Sequence, residues 1–215
     1  MEDLTNPHDA FFKQTLSRVD AARDFVEHYL PPEISRALEL SSLTIAKDSF
    51  VDKRLRQHYS DLLYTVRLRD GRDARIYVLF EHKSAPDRRI ALDLLRYMVR
   101  VWELDEKQRR EPLPILPVVV YHGKADWHVG LTLHALLQPP AEFSPFVPDF
   151  RYWLCDLSTY DDEEIKGEVL LRAGLLLLKY VFHDDLPDHF PRIAALFTEL
   201  AKSRTGLEYV ETMLR

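Results

Sequence analysis

The 215-residue chain holds a single cysteine, Cys155. An internal disulfide and a cysteine-built zinc site are therefore excluded, and a reducing compartment suits the composition. No Gly-rich loop of the kind that cradles nucleotide phosphates is present, so no ATP site is indicated. No serine or cysteine is set beside a histidine in a recognisable nucleophile pattern, which argues against a covalent enzyme intermediate. Long apolar runs are missing too. The most apolar stretch, Val169–Phe182, is interrupted by Arg172 and Lys179 and is too short to span a bilayer. The N-terminal MEDLTNPHDAFF is acidic and lacks the apolar core of a secretory signal, so a cytoplasmic location without membrane attachment is expected. There is no internal repeat and no low-complexity tract.

A strong excess of positive charge is also absent. The net charge is −6, unevenly spread. Residues 1–110 carry 20 Lys and Arg against 19 Asp and Glu, whereas residues 111–215 carry 9 against 16. That balance disfavours tight nonspecific binding to nucleic acid. It leaves room for a local basic groove in the near-neutral first half.

Hydrophobic periodicity sets out the elements. Asn6-Pro7 reads as a helix cap and first turn, and Phe12, Leu16, Val19, Val26 and Leu30 keep helical spacing up to Pro31-Pro32. Leu38–Val51 reads as an irregular strand, and Lys53–His58 as a charged connection. Two runs, Leu62–Leu68 and Ala74–Phe80, flank Asp70-Gly71-Arg72-Asp73 in a β-hairpin pattern. Asp87 would cap a helix over Arg88 to Gln108 with a buried stripe of Ile90, Leu94, Leu95, Met98 and Trp102. Ile115–Tyr121 has the continuous apolar character of a buried strand. One short helix around Leu131–Leu137, a strand at Arg151–Leu157 and helices at Glu163–Phe182, Phe190–Ser203 and Gly206–Arg215 complete the reading. The order helix, three strands, helix, strand describes a layered α/β domain.

The hairpin carries charge at its open end. Centred on Gly71, it places Asp61 directly opposite Glu81, at ~5 Å between Cβ atoms. Lys83, two residues on, shares that face, and His82 takes the other with Phe80, Val78 and Ile76. Two opposed carboxylates form a hard oxygen site suited to Mg²⁺ or Mn²⁺. A lysine beside them can orient an attacking water or stabilise charge on a phosphorus centre. Asp61, Glu81 and Lys83 thus compose a minimal phosphodiester hydrolase. The competing reading is three solvated charges at strand ends.

Asp61 followed by Glu81-His82-Lys83, within this order of elements, resembles the PD-(D/E)XK nuclease superfamily. The wider sequence resembles one branch of it, the recombination-promoting nuclease (Rpn)/putative transposase family. The likeness is carried by His8-Asp9-Ala10-Phe11-Phe12-Lys13, Asp61-Leu62-Leu63-Tyr64, Phe80-Glu81-His82-Lys83-Ser84, Leu95-Arg96-Tyr97, Val120-Tyr121-His122-Gly123, Trp127 and Asp156-Leu157, and covers about residues 6–182. It implies a mixed central sheet flanked by helices. It also implies metal-dependent DNA cleavage linked to recombination, mobile elements or defence in bacteria. Asp61 and Glu81 take the ligand roles and Lys83 the catalytic lysine role. The proline of the superfamily's nominal motif is replaced by Ser60, which removes no ligand.

The expected protein is therefore a PD-(D/E)XK nuclease-like domain over residues 1–160. Residues 161–215 would form a helical extension, packed on the core or used for self-association. Its expected activity is Mg²⁺- or Mn²⁺-dependent endonucleolytic hydrolysis of DNA. Asp9 is a candidate additional ligand, or simply a first-turn acid favoured by the helix dipole. Lys13, Arg96 and Arg100 are candidate DNA-backbone contacts, although ion pairing with Asp93 equally accounts for Arg96. For Tyr97 core packing is the favoured reading, and for His82 a buried structural role. His122, His128 and His134 recur every six residues, which suits neither helix nor strand, and no metal is assigned to them. Two alternatives stay open: a catalytically weak, nuclease-like interaction protein, and a nuclease acting on RNA.

Overall fold

A computed structural model describes residues 13–46, 62–81, 86–181 and 183–202, with the backbone alone for residues 77–81. The predicted Asn6-Pro7 cap, the Lys53–His58 connection and the helix at Gly206–Arg215 lie outside these residues. A mixed five-stranded sheet in the order β1-β2-β3-β4-β5 forms the centre. Its strands are β1 (Leu38–Ile45), β2 (Leu62–Leu68), β3 (Asp73–Glu81), β4 (Ile115–Tyr121) and β5 (Trp153–Asp156). β1, β2 and β3 pair antiparallel, and β3, β4 and β5 pair parallel. The described helices are α1 (Val19–Tyr29), α2 (Pro32–Ala37), α3 (Ile90–Lys107), α4 (Leu133–Leu137), α5 (Val169–Tyr180) and α6 (Leu186–Leu200).

Strand alternation divides the apolar residues between two cores. One face of the sheet presents Leu62, Tyr64, Val66, Ile76, Val118, Val120 and Cys155 to α1, α5 and α6, with Phe25, Val26, Leu171, Leu175 and Ile193 filling that layer. The other presents Leu63 and Val119 to α3, through Ile90, Leu94, Tyr97 and Val101. The result is a three-layer α/β/α arrangement. Residues of β4 from Pro117 to Tyr121 are buried on both faces, as expected of a central parallel strand. The apolar stripe of α5 belongs to the same core as the sheet, with Leu171 and Leu175 fully buried.

Several boundaries differ from the sequence reading, each for a local reason. The N-terminal helix is not continuous. Residues 13–16 form a helical turn, the chain bends at Ser17 and Arg18, and α1 starts at Val19. The Ser17 hydroxyl donates to the Lys13 carbonyl at 2.6 Å, taking up a helical acceptor at the break. α1 does end at Tyr29, just before Pro31-Pro32 as the sequence indicates, and Pro32 then opens α2, at the first-turn position where its missing N–H costs nothing. β1 is irregular as predicted. Its register slips between Glu39 and Thr44, where Ser42 Oγ donates to the Glu39 carbonyl at 2.6 Å and accepts the Arg67 N–H at 2.8 Å. α5 begins at Val169, six residues after the predicted start, because 3-10 turns at Leu157–Thr159 and Asp162–Glu164 occupy the preceding chain.

Side chains tie the layers at defined points. Trp153 Nε1 donates to the Tyr29 carbonyl at 2.7 Å, and Tyr29 Oη bridges the Lys166 backbone at 3.0 and 2.9 Å. Burial pushes the Tyr29 phenol well above its ordinary range. Tyr64 Oη donates to the Leu16 carbonyl at 2.7 Å, fixing the first helical turn on the sheet.

Candidate active site

Three parallel strands end side by side. Glu81, the last residue of β3, is the register partner of Tyr121, the last residue of β4, and Tyr121 is the register partner of Asp156, which ends β5. The carboxyl ends of parallel strands are where open α/β sheets bind ligands, because the crossover helices leave a crevice there. Of the residues singled out for catalysis, Glu81 has its backbone at this edge. Asp61, Lys83 and Asp9 lie outside the described residues, as do His82 and Ser84.

The hairpin register corrects one sequence-based detail. Described pairs run from Arg67↔Asp73 to Leu62↔Val78, which centres the hairpin on Asp70 rather than Gly71. A turn centred on Gly71 was what made Asp61 and Glu81 direct partners. The shift arises because Gly71, at φ 91°, sits late in the turn, with its N–H bonded to the Leu68 carbonyl at 2.9 Å. Both centres give pairs of like parity, so the faces assigned by strand alternation are unchanged.

Beyond Val78 the described pairs of β3 are with β4 alone: Leu79↔Val119, Phe80↔Val120 and Glu81↔Tyr121. The end of β4 is correspondingly well fixed. Tyr121 is fully buried, and its hydroxyl donates to the Ala125 carbonyl at 2.6 Å. Trp127 packs edge-on against the Tyr121 ring at 4.9 Å between centroids, and in turn meets Tyr152 at 6.4 Å. A Cβ on Gly123 would strike the Tyr121 hydroxyl and ring, so glycine is required there by close approach. The Tyr121-His122-Gly123 triplet and Trp127 thus form one tightly packed turn. In the sequence these residues belong to the family likeness, with Tyr121 also ending the apolar run of a buried strand and His122 one of three histidines six residues apart. The visible signal was a glycine two residues after the last aromatic of a buried strand.

Asp156 is held too. Its Oδ1 accepts from the Ser158 N–H at 3.0 Å and the Ser158 hydroxyl at 2.6 Å, capping the 3-10 turn that follows. Cys155 is fully buried, and burial pushes its thiol well up, so it serves packing and not nucleophilic chemistry. Among the described residues no group of three or more His, Cys, Asp or Glu could hold a metal.

The basic candidates lie in different layers. Arg89, Arg96 and Arg100 are exposed and share one face of α3 at helical spacing with Asp93. Arg96 donates to Asp93 at 2.7 Å, the pairing anticipated from the sequence. Lys13 belongs to the N-terminal turn whose Leu16 packs on the opposite side of the sheet. Tyr97 is buried in the α3 core.

The chain belongs to the family described as "Putative transposase, YhgA-like", whose model matches residues 6–208. It is 43% identical over 203 residues to the recombination-promoting nuclease RpnD of Escherichia coli O157:H7, covering 92% of this chain and 76% of that protein. It is 29% identical over 197 residues to the recombination-promoting nuclease RpnC of Escherichia coli K12, covering 91% of this chain and 65% of the relative. It is also 31% identical over 193 residues to the inactive recombination-promoting nuclease-like protein RpnE of the same strain, covering 89% and 57%. The chain therefore spans roughly three-quarters of the first relative and less than two-thirds of the other two. No solved structure matches.

Proposed function

We propose that this chain is a divalent-metal-dependent DNA endonuclease of the PD-(D/E)XK type, linked to recombination, mobile elements or defence. The observation that carries the reading is Glu81 at the carboxyl end of β3, where the parallel strands meet, in a chain whose relatives are named recombination-promoting nucleases. The order β1-β2-β3-α3-β4, with the hairpin strands antiparallel and β4 parallel to β3, is consistent with that core.

Asp61 and Glu81 are the assigned metal ligands, with Asp9 a candidate third. The donor set fits Mg²⁺ or Mn²⁺: carboxylates are hard donors, and neither ion needs a complete protein cage. When bound, such an ion offsets charge on the phosphorus and makes a water easier to deprotonate. Lys83 orients the attacking water and stabilises the developing negative charge. Arg96 and Arg100 contact the DNA backbone, and Lys13, on the other layer, is the competing candidate contact. The protein works in the cytoplasm.

Cleavage of supercoiled plasmid in Mg²⁺ or Mn²⁺ tests the reading. Wild type should nick or linearise the DNA, EDTA should stop it, and Asp61→Ala, Glu81→Ala and Lys83→Ala should each abolish it while remaining folded. Normal cleavage by any of the three variants would remove that residue from its role. A non-catalytic interaction protein is the second reading, and it has its own support. RpnE is described as inactive, and YjiP, 44% identical over 97 residues that make up 45% of this chain, carries the name "Putative inactive recombination-promoting nuclease-like protein". Folded wild type that cleaves neither DNA nor RNA under either metal would favour it.

A further inference from the structure

We infer that the loop at residues 138–150 is a docking surface for a second copy of this chain, with Phe143 and Phe146 packing against the same two residues across a two-fold axis. The inference stands apart from the nuclease reading and does not depend on it.

The loop follows α4 and displays two phenylalanines. Phe146 is 85% exposed and Phe143 63%. Apolar residues scattered singly over a surface are ordinary, whereas a contiguous exposed apolar patch marks an interaction site. These two are contiguous. Ser144–Phe146 form a 3-10 turn with Phe143 as its cap, closed by the Phe146 N–H on the Phe143 carbonyl at 2.9 Å. Side chains three residues apart in such a turn lie one above the other.

The turn is also held stiff. Pro139, Pro140, Pro145 and Pro148 fix their backbone φ angles. The Phe143 and Ser144 N–H groups share the Pro140 carbonyl at 2.9 and 3.0 Å. His134 of α4 clamps the far end: its Nε2 donates to the Val147 carbonyl at 3.1 Å, and its backbone N–H to Asp149 Oδ1 at 2.8 Å. A patch presented this rigidly gives up little conformational entropy on docking.

Charge decides the occupant. Between Lys124 and Arg151 the chain holds no lysine or arginine, so this stretch offers no cation to a phosphate backbone. From Trp127 to Pro148 the one formally charged side chain is Glu142, in a chain that is 30% charged. Depletion of charge around aromatic residues is the composition of a protein–protein interface core. A patch that meets its own copy has to avoid like charges, and closed two-fold dimers are the commonest assemblies of soluble chains. The apolar stripe of α5, within the extension expected to pack or to self-associate, is buried in the core. Two phenylalanines supply roughly 300 Å² per protomer, against about 800 Å² per partner in a standard interface. The dimer is therefore of modest strength, dissociating at about micromolar concentration or above.

The experiment is sedimentation velocity of the full-length protein from low to high micromolar concentration. Wild type is compared with Phe143→Asp/Phe146→Asp and with Phe190→Asp. Phe190, 57% exposed on α6 in the opposite layer, controls for a charge placed on an exposed phenylalanine. Wild type should show a monomer–dimer equilibrium, the double variant should weaken it by about 10-fold or more, and Phe190→Asp should match wild type. In a second arm, Phe146→Cys adds an accessible thiol to a chain whose own Cys155 is buried, and should oxidise to a covalent dimer faster than Phe190→Cys. Wild type that is monomeric throughout, a dimer that the double variant leaves intact, or equal oxidation of the two cysteine variants overturns the inference. So does a double variant of unchanged mass that loses affinity for a labelled duplex in EDTA, which would make nucleic acid the occupant.

Discussion

Arg75 on β3 and Asp105 on α3 form a buried, two-pronged ion pair that clamps the sheet to its crossover helix. Arg75 Nη2 donates to Asp105 Oδ1 at 2.8 Å, Nη1 bonds Oδ2, and the side chains are 8% and 1% exposed. Arg110 adds a third, half-exposed donor at 3.2 Å. Removing one partner strands a charge in the core, which typically costs about 3–5 kcal/mol. Replacing both partners by apolar residues of similar volume is often neutral, since it removes the desolvation penalty along with the attraction. Urea denaturation should therefore show Asp105→Ala strongly destabilised and Arg75→Met/Asp105→Leu close to wild type. A double variant as unstable as the single would show that packing, and not the stranded charge, sets the cost.

Gly123→Ala tests the β4 turn directly. The added methyl meets the end of the buried Tyr121 ring, which packs on Trp127 and whose hydroxyl is bonded to the Ala125 carbonyl, so the ring or the turn must shift. Overpacking of this kind costs about 1–3 kcal/mol. The variant should melt at a lower temperature, and coupling it with Tyr121→Leu should recover part of the loss. A Gly123→Ala protein as stable as wild type would mean that the turn opens freely.

The two cores and the central strands were legible because their patterns are strong. Ile115–Tyr121 was predicted with the bounds it has, since a short apolar run between Pro114 and Gly123 has few alternatives. β2 and α3 were placed to within two residues at either end. The hairpin register was not legible, because Asp70-Gly71-Arg72-Asp73 admits more than one turn and the sequence contains no signal for its centre. Nor was the break at Ser17. The apolar stripe continues across it, and only the Ser17 hydroxyl and the Tyr64 tie to Leu16 mark the bend. At the candidate site, Glu81 could be assigned to a strand end from the sequence. The lock formed by Tyr121, Gly123 and Trp127 could not, since it depends on a close approach that no spacing rule encodes.

Asp162 should make stability sensitive to acid. Burial alone would raise its carboxyl. Hydrogen bonds from Tyr180 at 2.6 Å and Lys179 at 2.9 Å, with the charges of Lys179 and Arg192, outweigh burial and hold it below the usual carboxylate range. His189, stacked on Tyr180 at 3.6 Å, and Glu163, which shares Arg192, complete its charged surroundings. A lowered native pKa means that the unfolded chain takes up the proton first as pH falls. The stabilisation is therefore complete above the ordinary aspartate value and drains away as pH drops through the lowered one. The stability gap between wild type and Asp162→Asn, read from urea midpoints between neutral pH and pH 3, should narrow with acidification. A gap that stays constant would show that Asp162 acts through its hydrogen bonds alone.

The layer on which DNA lies can be decided by salt. Arg89, Asp93, Arg96 and Arg100 share one exposed face of α3, and Arg96 is already engaged with Asp93 at 2.7 Å. Arg96 is 57% exposed and Asp93 15%; a pair open to solvent on its arginine side contributes little to stability, so Arg96 is readily given up to a phosphate, and Asp93 repels the same phosphate. Each phosphate contact contributes about 0.9 to the slope of log affinity against log salt. On the reading that DNA runs along α3, Arg96→Ala and Arg100→Ala should each make that slope shallower by about 0.9, weakening binding without sequence preference. Asp93→Ala should tighten binding. Lys13, on the opposite layer, should leave the slope unchanged when replaced by alanine. The measurement is fluorescence anisotropy of a labelled duplex across a salt series, with EDTA present to prevent cleavage. If Lys13→Ala lowers the slope and the α3 variants do not, the duplex follows the N-terminal turn instead. If Lys13→Ala and an α3 variant both lower it, the duplex spans the edge where β3, β4 and β5 end.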